Sequence, residues 1–575
     1  MRALHRIAAA AAAVAAVLGL AACAGLPTTG YVEPGDQVGV VSDDARWQIT
    51  PDGPVEGASA EAIVLGFLGA GEGPADDWAT AREFLSDDFA KTWDPSAGVT
   101  IESINDRVVG DFSPDESADA GSVTARITAT ATVDAMGAYH PVTDGSRVDQ
   151  VQFQLVREDG EWRISSAPDG VVVQSENFRT IFASAALAFP AVAGDQYVPD
   201  VRWVPDTAGQ AQRLVELLLG GPSPWLAASV TTAFDGIELG SRGVSIDDTS
   251  ATVDLSSAAR DTTSDARAVM AGQLQQTLAS VGVTSVSATS GGSRLALPNV
   301  TVQTATPDAR ALVLTEDGFG FLGGSDLTDI DGLSDAVVEA AGVSSPDPAV
   351  QISVSADQQT AAILTKSGAI RRVTADGEVT TQMTASDGAS IALDPFGYTW
   401  AGWDDGSSNL AYIAPDGTTM TSAPTLEEYS GITTLEVSRD GMRLAIAGRL
   451  GDDDVISIVG IQRDADGVVT GLSDPMVVGT TDEPVHQIGW VTDRIVAAAV
   501  ETGDDRTSVV EQTVGGLAER ISAPFEVVGL AYGNPTSNER VLTSDGDLYV
   551  RRTTTWLRSG GGVVVLATQL GAPAE

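Results

Sequence analysis

Between residues 317 and 545 the dipeptide Asp-Gly occurs nine times. Asp-Gly favours the type I′ turn of a tight hairpin, so a segment punctuated this way folds into short antiparallel strands. Three stretches show the unit. Residues 435–437 and 444–446 flank Ser438-Arg439-Asp440-Gly441. Residues 352–354 and 361–363 flank a turn opening Ser355-Ala356-Asp357, and 392–393 and 399–400 flank Asp394-Pro395-Phe396-Gly397. One such sheet cannot bury both faces alone, and repeats of it pack radially as the blades of an all-β propeller. At about 40–45 residues per blade, residues 301–575 hold about six, with five and seven as neighbouring counts. No helix is expected there. Residues 563–566 are expected to pair with 300–304 and close the ring, leaving no free edge.

The whole chain has 575 residues. At about 150 residues per domain it divides into three or four. Its 43% hydrophobic content and near-zero mean hydropathy are too high for a disordered chain and too low for a polytopic membrane protein. It carries 79 acids against 32 bases, a net charge of -47. A field that negative repels the nucleic-acid backbone, so nucleic-acid partners are set aside. Among the bases only Lys91 and Lys366 are lysine.

The N-terminus reads as an address. Arg2 and Arg6 precede an apolar run of about 15 residues, shorter than the ~20 that a spanning helix needs. The run ends Leu20-Ala21-Ala22-Cys23, and Cys23 is the only cysteine in the chain. Small residues followed by cysteine make a bacterial lipobox. Residues 1–22 are then a signal peptide, and Cys23 is the lipidated (palmitate-type) first residue. Two or more acyl chains hold a protein stably on a membrane at about 0.8 kcal/mol per buried CH₂. The expected location is the extracytoplasmic face of the cell membrane. Residues 23–55 carry the lipidated cysteine and a Gly/Pro/Thr/Asp tether. A lone cysteine excludes an intrachain disulfide and a four-cysteine metal site.

Residues 56–185 read as a first α+β domain. Ile63, Val64, Phe67 and Leu68 lie one helical turn apart, as do Trp78, Ala81, Phe84 and Leu85, which predicts two short amphipathic helices. Then Val123, Ala125, Ile127, Ala129, Ala131 and Val133 alternate with polar residues, as do Val151, Phe153 and Leu155. Glu158-Asp159-Gly160 turns the chain, and Trp162 and Ile164 resume the alternation. Helices first and then a meander resembles the NTF2-like fold, which can hold a ligand pocket.

Residues 186–300 read as a second α+β domain. Ala211, Leu214, Val215 and Leu218 form one helix face, ended by Gly220-Gly221-Pro222. Residues 244–246 and 251–256 read as a hairpin around Asp247-Asp248-Thr249. Met270, Leu274 and Leu278 mark a second helix, and 283–288 a last strand. This order resembles the GerMN module.

Catalytic chemistry is scarce. With His5 in the signal peptide, His140 and His486 are the remaining histidines, in different domains, so a histidine-held catalytic zinc is not expected. Gly-x-Ser-x-Gly and Ser-x-x-Lys are missing, and no Walker loop precedes a helix. A Ser–His–Asp set in the propeller would have to use His486. Asp404-Asp405, Asp452-Asp453-Asp454 and Asp464-Ala465-Asp466-Gly467 are weak Ca²⁺ candidates against the plainer reading as turns. Trp400, Trp403 and Tyr412 can form a sugar- or peptide-binding face or pack inside a blade. No catalytic residue, cofactor or metal is assigned.

Lipobox, NTF2-like domain, GerMN module and propeller in this order resemble the actinobacterial LpqB lipoprotein family. Its most telling stretches are Phe84-Leu85-Ser86, Trp93-Asp94, Gly160-Glu161-Trp162-Arg163-Ile164, Pro168-Asp169-Gly170-Val171 and Val198-Pro199-Asp200-Val201-Arg202. The resemblance implies a non-enzymatic accessory of the MtrA–MtrB two-component system. It would bind the extracytoplasmic part of the sensor kinase MtrB and tune cell-wall homeostasis and cell division. Only Cys23 carries a family role residue by residue. The other reading is an envelope protein that binds or hydrolyses peptidoglycan or lipid fragments.

Overall fold

The computed structural model describes residues 49–573, apart from 104–105, 116–118, 143–146, 303–304, 325, 387, 406–407, 422–425, 482, 503–505, 524, 534–538 and 554. Leu20, Ala21, Ala22, Cys23 and the tether to residue 48 therefore lie outside the described residues. Residues 48–575 form one compact unit.

Its N-terminal part is a curved, mainly antiparallel sheet with a helix laid across it. Helix α1 (Ala60–Ala70) starts at Ser59, whose Oγ accepts from the Ala62 amide at 3.3 Å. It buries Ile63, Val64, Phe67 and Leu68. The sheet's main path runs Glu161–Ser166, Arg147–Glu158, Ala120–Asp134, Gly98–Glu102, Val171–Gln174, with only the last pair parallel. Asp159 (φ 51°) and Gly160 (φ 86°) make the two-residue turn that sets Glu158 opposite Glu161. The second expected helix shrinks to the single turn Ala79–Arg82. Asp76, Asp77 and Trp78 all have positive φ, a conformation that cannot enter a right-handed helix. The Trp78 Nε1 instead donates to the Gly71 carbonyl at 2.8 Å, and Leu85 bridges to Ile164 of the sheet.

A long hairpin, Phe182–Pro190 with Tyr197–Pro205, leads into the second part. Helix α2 (Gln210–Leu219) buries Leu214, Val215 and Leu218. Helix α3 (Ser264–Ala279) is the crossover between the parallel strands Ser250–Leu255 and Ser285–Ser290, with Leu239–Asp247 and Ser293–Leu295 on the edges. Met270, Leu274 and Leu278 of α3 enter the same core as α2.

From Ala349 onward the chain lays down antiparallel sheets in sequence order. Those starting at Ser390, Val485 and Val527 have four strands each, and the one starting at Tyr429 has five. One sheet of eight strands is composite: the four strands from Ala349 to Thr384 join it through the parallel pair of Ala349–Val354 with Val563–Gln569. Ala311–Thr315, Gly318–Gly323 and Asp326–Thr328 take Val563–Gln569 from the far end as their fourth strand. The closing partner is thus Ala311–Thr315 and not 300–304. Leu312 lies opposite Ala567 and Leu314 opposite Val565, and all four are buried in one cluster. The stretch before it, Ala305–Thr306, pairs with Ala572–Pro573.

The same cluster contains a helix that was not expected, α4 (Leu333–Ala341). Leu333, Ala336, Val337 and Ala341 recur at helical spacing and pack against Gly318–Gly323 and the strands Thr360–Thr365 and Ala369–Thr374.

The three parts are packed together. Met442, in a turn of the third part, is fully buried in the core of the second, with Phe396 against it. At Gly460 a Cβ would come within 2.7 Å of the Trp225 carbonyl, so only glycine allows that approach.

Candidate functional site

Most of the polar candidates from the sequence turn out to be structural. Asp464 Oδ1 accepts the amides of Asp466 and Val468 at 3.0 and 2.9 Å and so holds a hairpin turn. Asp454 faces Arg449 at 3.8 Å. His140 lies 3.2 Å from Asp134 and His486 3.5 Å from Glu501, both at half-exposed surfaces of different parts. Among the described residues no group of three or more His, Cys, Asp or Glu side chains is placed to hold a metal ion.

Trp400 and Tyr412 pack against each other inside a sheet stack, ring centroids 5.0 Å apart, with Trp400 fully buried. The Trp400 Nε1 donates to Asp394 Oδ2 at 2.9 Å, and the same carboxylate pairs with the fully buried Arg463 guanidinium. Asp394 Oδ1 accepts the amides of Phe396 and Tyr398, both at 2.9 Å. One aspartate thus fixes the turn, the tryptophan and a third strand. Trp403 packs beside a different cluster, so the three aromatics do not make one surface.

Four cavities stand out among the described residues; one, about 720 Å³, is lined by Trp78, Val133, Trp203 and Arg213. Three more accompany it. The first lies between α1 and the N-terminal sheet, a solvent-open hollow of about 560 Å³. Phe67, Leu68, Ile127, Val151 and Phe153 line it, with Asp149 and Asp169 also on its wall. Trp93 is also in the wall; its Nε1 is buried and finds no hydrogen-bond partner among the described residues. Size and lining suit a small apolar molecule with one acceptor group.

The second is the largest, about 1420 Å³, between the second and third parts. The hairpin residues Tyr197 and Pro199, Gln276 of α3 and Ser280 just after it form one wall. Arg439, Asp493 and Arg494, from turns that leave the third part's sheets, form the other.

Arg439 also borders the third cavity, about 520 Å³, where strands of several sheets converge. Glu436 lines it at 8% exposure, and among the described residues nothing donates a hydrogen bond to its carboxyl. Burial pushes that carboxyl up to about 8, opposed only by the charge of Arg439. The buried Thr568 Oγ1, also at this wall, has no partner either.

Sequence reasoning missed Trp93, Glu436, Arg439 and Thr568 as a group of site residues. Glu436 did carry a signal: it occupies the polar slot of an otherwise apolar strand, Leu435-Glu436-Val437, yet is buried.

The chain is similar to three described families. "Lipoprotein LpqB, N-terminal domain" matches residues 53–179, "Sporulation and spore germination" matches 187–296, and "Lipoprotein LpqB beta-propeller domain" matches 327–566. Relatives named Lipoprotein LpqB include one from Cutibacterium acnes, 29% identical over 49% of this chain and 46% of that protein. Another, from Thermobifida fusca, is 32% identical over 40% and 38%. These two alignments span less than half of the relatives' own length. A third, from Bifidobacterium longum, is 24% identical over 99% of this chain and 100% of that protein. Among solved structures, a nidogen/laminin complex chain aligns over 43% of this chain and 91% of its own, at 10% identity and a TM-score of 0.31, too low to bear on fold or function. No described helix is long and apolar enough to cross a membrane.

Proposed function

The chain belongs to the LpqB lipoprotein family, and from that premise we propose that it is a lipid-anchored, extracytoplasmic binding protein without catalytic activity that engages the sensor kinase of the MtrA–MtrB system. The lipid is attached at Cys23, released by cleavage after Leu20-Ala21-Ala22. The N-terminal part is read as an NTF2-like fold, and the third as a propeller of six blades whose last strand completes the first blade. The observation that carries the reading is the 1420 Å³ cleft between the second and third parts. It is a wide, mixed polar and apolar concavity that neither His140 nor His486 lines among the described residues, which suits recognition of a partner surface. The kinase's extracytoplasmic domain is the proposed partner, and cell-wall homeostasis and division the proposed outcome.

The test is binding of the purified kinase ectodomain to the full-length protein in detergent. A Tyr197→Ala/Arg494→Ala variant that folds normally should bind at least tenfold more weakly. Wild-type protein that shows no saturable binding at high micromolar concentration overturns the reading.

The N-terminal cavity favours a second reading, an envelope-ligand carrier. Trp93 Nε1, a buried donor facing an apolar space, is its specific support. A co-purifying apolar metabolite, lost on Phe153→Trp, would move the assignment there.

A further inference from the structure

The chamber beside Glu436 differs in charge from the rest of the protein. The chain has a net charge of -47, yet three arginines, Arg310, Arg439 and Arg540, and one acid, Glu436, border this space. Arg310 is saturated: it makes a bidentate pair with Asp308, Nε to Oδ1 at 3.0 Å and Nη2 to Oδ2 at 2.8 Å. The other two are not. Arg439 donates to the Trp490 carbonyl at 3.2 Å, and Arg540 to the Ala309 carbonyl. Among the described residues neither is within ion-pair distance of a carboxylate. Arg540 is 7% exposed, and burial and the nearby Arg552 depress it to about 10, with Asp308 opposing. Burial depresses both guanidinium groups; Asp493, Glu436 and Asp440 partly offset this at Arg439 and Asp308 at Arg540, none within ion-pair distance among the described residues, and an anion supplied from outside adds the missing contact partner.

The polar groups around it agree. A carboxyl that is neutral at pH 7 donates a hydrogen bond, and a threonine hydroxyl can donate a second. Glu436 and Thr568 Oγ1 both lack a partner in this wall. The apolar remainder, Leu312, Val437, Leu530 and Ala567, keeps the dielectric low, which strengthens charge-assisted bonds.

We propose that this chamber is a binding site for a small oxyanion, a carboxylate or phosphoryl group, clamped by Arg439 and Arg540 and hydrogen-bonded by the Glu436 carboxyl and the Thr568 hydroxyl. The ligand enters from the interdomain cleft, because Arg439 borders both spaces. The site binds the anion only while Glu436 is protonated, so binding is linked to a proton. The inference does not depend on which partner occupies the cleft.

The experiment is calorimetric titration of the full-length protein in detergent with succinate and, separately, with sulfate, both of constant charge over the range used. Saturation by succinate alone identifies a carboxylate site, and by sulfate alone a phosphoryl-type site. Affinity is expected to fall about tenfold between pH 6.5 and pH 9, as one carboxyl that titrates near 8 requires. Glu436→Gln keeps a neutral donor and is expected to bind equally at both pH values. Arg439→Met is expected to lose tenfold or more with the melting profile unchanged. If Arg439→Met does not fold, Thr568→Val takes its place, with several-fold loss expected. No saturable binding of either probe, a Glu436→Gln variant with the wild-type pH profile, or wild-type affinity in the arginine or threonine variant each overturns the proposal.

Discussion

The Nε1 of Trp203 donates a 3.0 Å hydrogen bond to the carbonyl of Gly515, 312 residues further along the chain. Trp203 belongs to the hairpin that opens the second part, yet its ring packs on Phe178 at 4.7 Å in the N-terminal core, and its amide donates to the Gly137 carbonyl at 2.8 Å. Gly515 belongs to a turn of the third part. One side chain therefore touches all three parts. Trp203→Phe removes the hydrogen bond and part of the ring and should cost about 1–3 kcal/mol. Trp203→Ala also opens a cavity and should cost about 3–5 kcal/mol. Urea unfolding measures both, and limited proteolysis of Trp203→Ala should release the N-terminal part first.

Asp394 and Arg463 form an ion pair with both side chains fully buried. Removing one partner leaves a buried charge, so Asp394→Ala should destabilise by about 3–5 kcal/mol. It also strands the Trp400 Nε1, which the same carboxylate accepts. The double change Asp394→Leu/Arg463→Met should cost clearly less than Asp394→Ala by urea unfolding, because no lone charge remains.

Stability should fall as the pH rises from about 4.5 to about 8, the ordinary and the folded values for the Glu436 carboxyl. The folded chain holds this proton more tightly than the unfolded one, so the contribution is full below 4.5 and gone above 8. Burial of Glu539, pushed up to about 7 despite Arg551, adds in the same sense. Glu436→Gln should raise the melting temperature at pH 8.5 by a few degrees and leave it nearly unchanged at pH 5, as differential scanning calorimetry can read.

Cys23→Ala should move the protein from the membrane fraction to the soluble fraction, because the tether and an acidic body offer the anionic bilayer no attraction. Fatty-acid labelling should disappear at the same time. Retained label in this variant refutes the anchor assignment.

What the sequence made legible was local. The alternation over 120–134 and the Asp159-Gly160 pair specify strand and turn within a few residues, and both are where they were expected. Ile63, Val64, Phe67 and Leu68 likewise define one face of α1. The failures came where the deciding partner is distant in sequence. Trp78, Ala81, Phe84 and Leu85 have helical spacing, but three left-handed residues and a bridge to Ile164 break the helix. Helix α4 is only nine residues long and flanked by Asp-Gly and Gly, so turn signals masked its spacing. The closing strand was identified, but its expected partner, 300–304, lies about ten residues before the actual one, and only the cluster shared with α4 selects Ala311–Thr315. Glu436 and Arg540 come together across about a hundred residues, and nothing local in either segment foretells the chamber.

The strand Val563–Gln569 is the fourth member of the sheet that starts at Ala311. Translation releases residue 311 long before residue 569, so the first sheet must wait, edge exposed, for the final stretch of chain. Folding of this part is therefore a test of completeness. A product truncated before residue 563 keeps an open seam, available to chaperones, proteases or another unfinished copy, and only a chain that includes this strand conceals it.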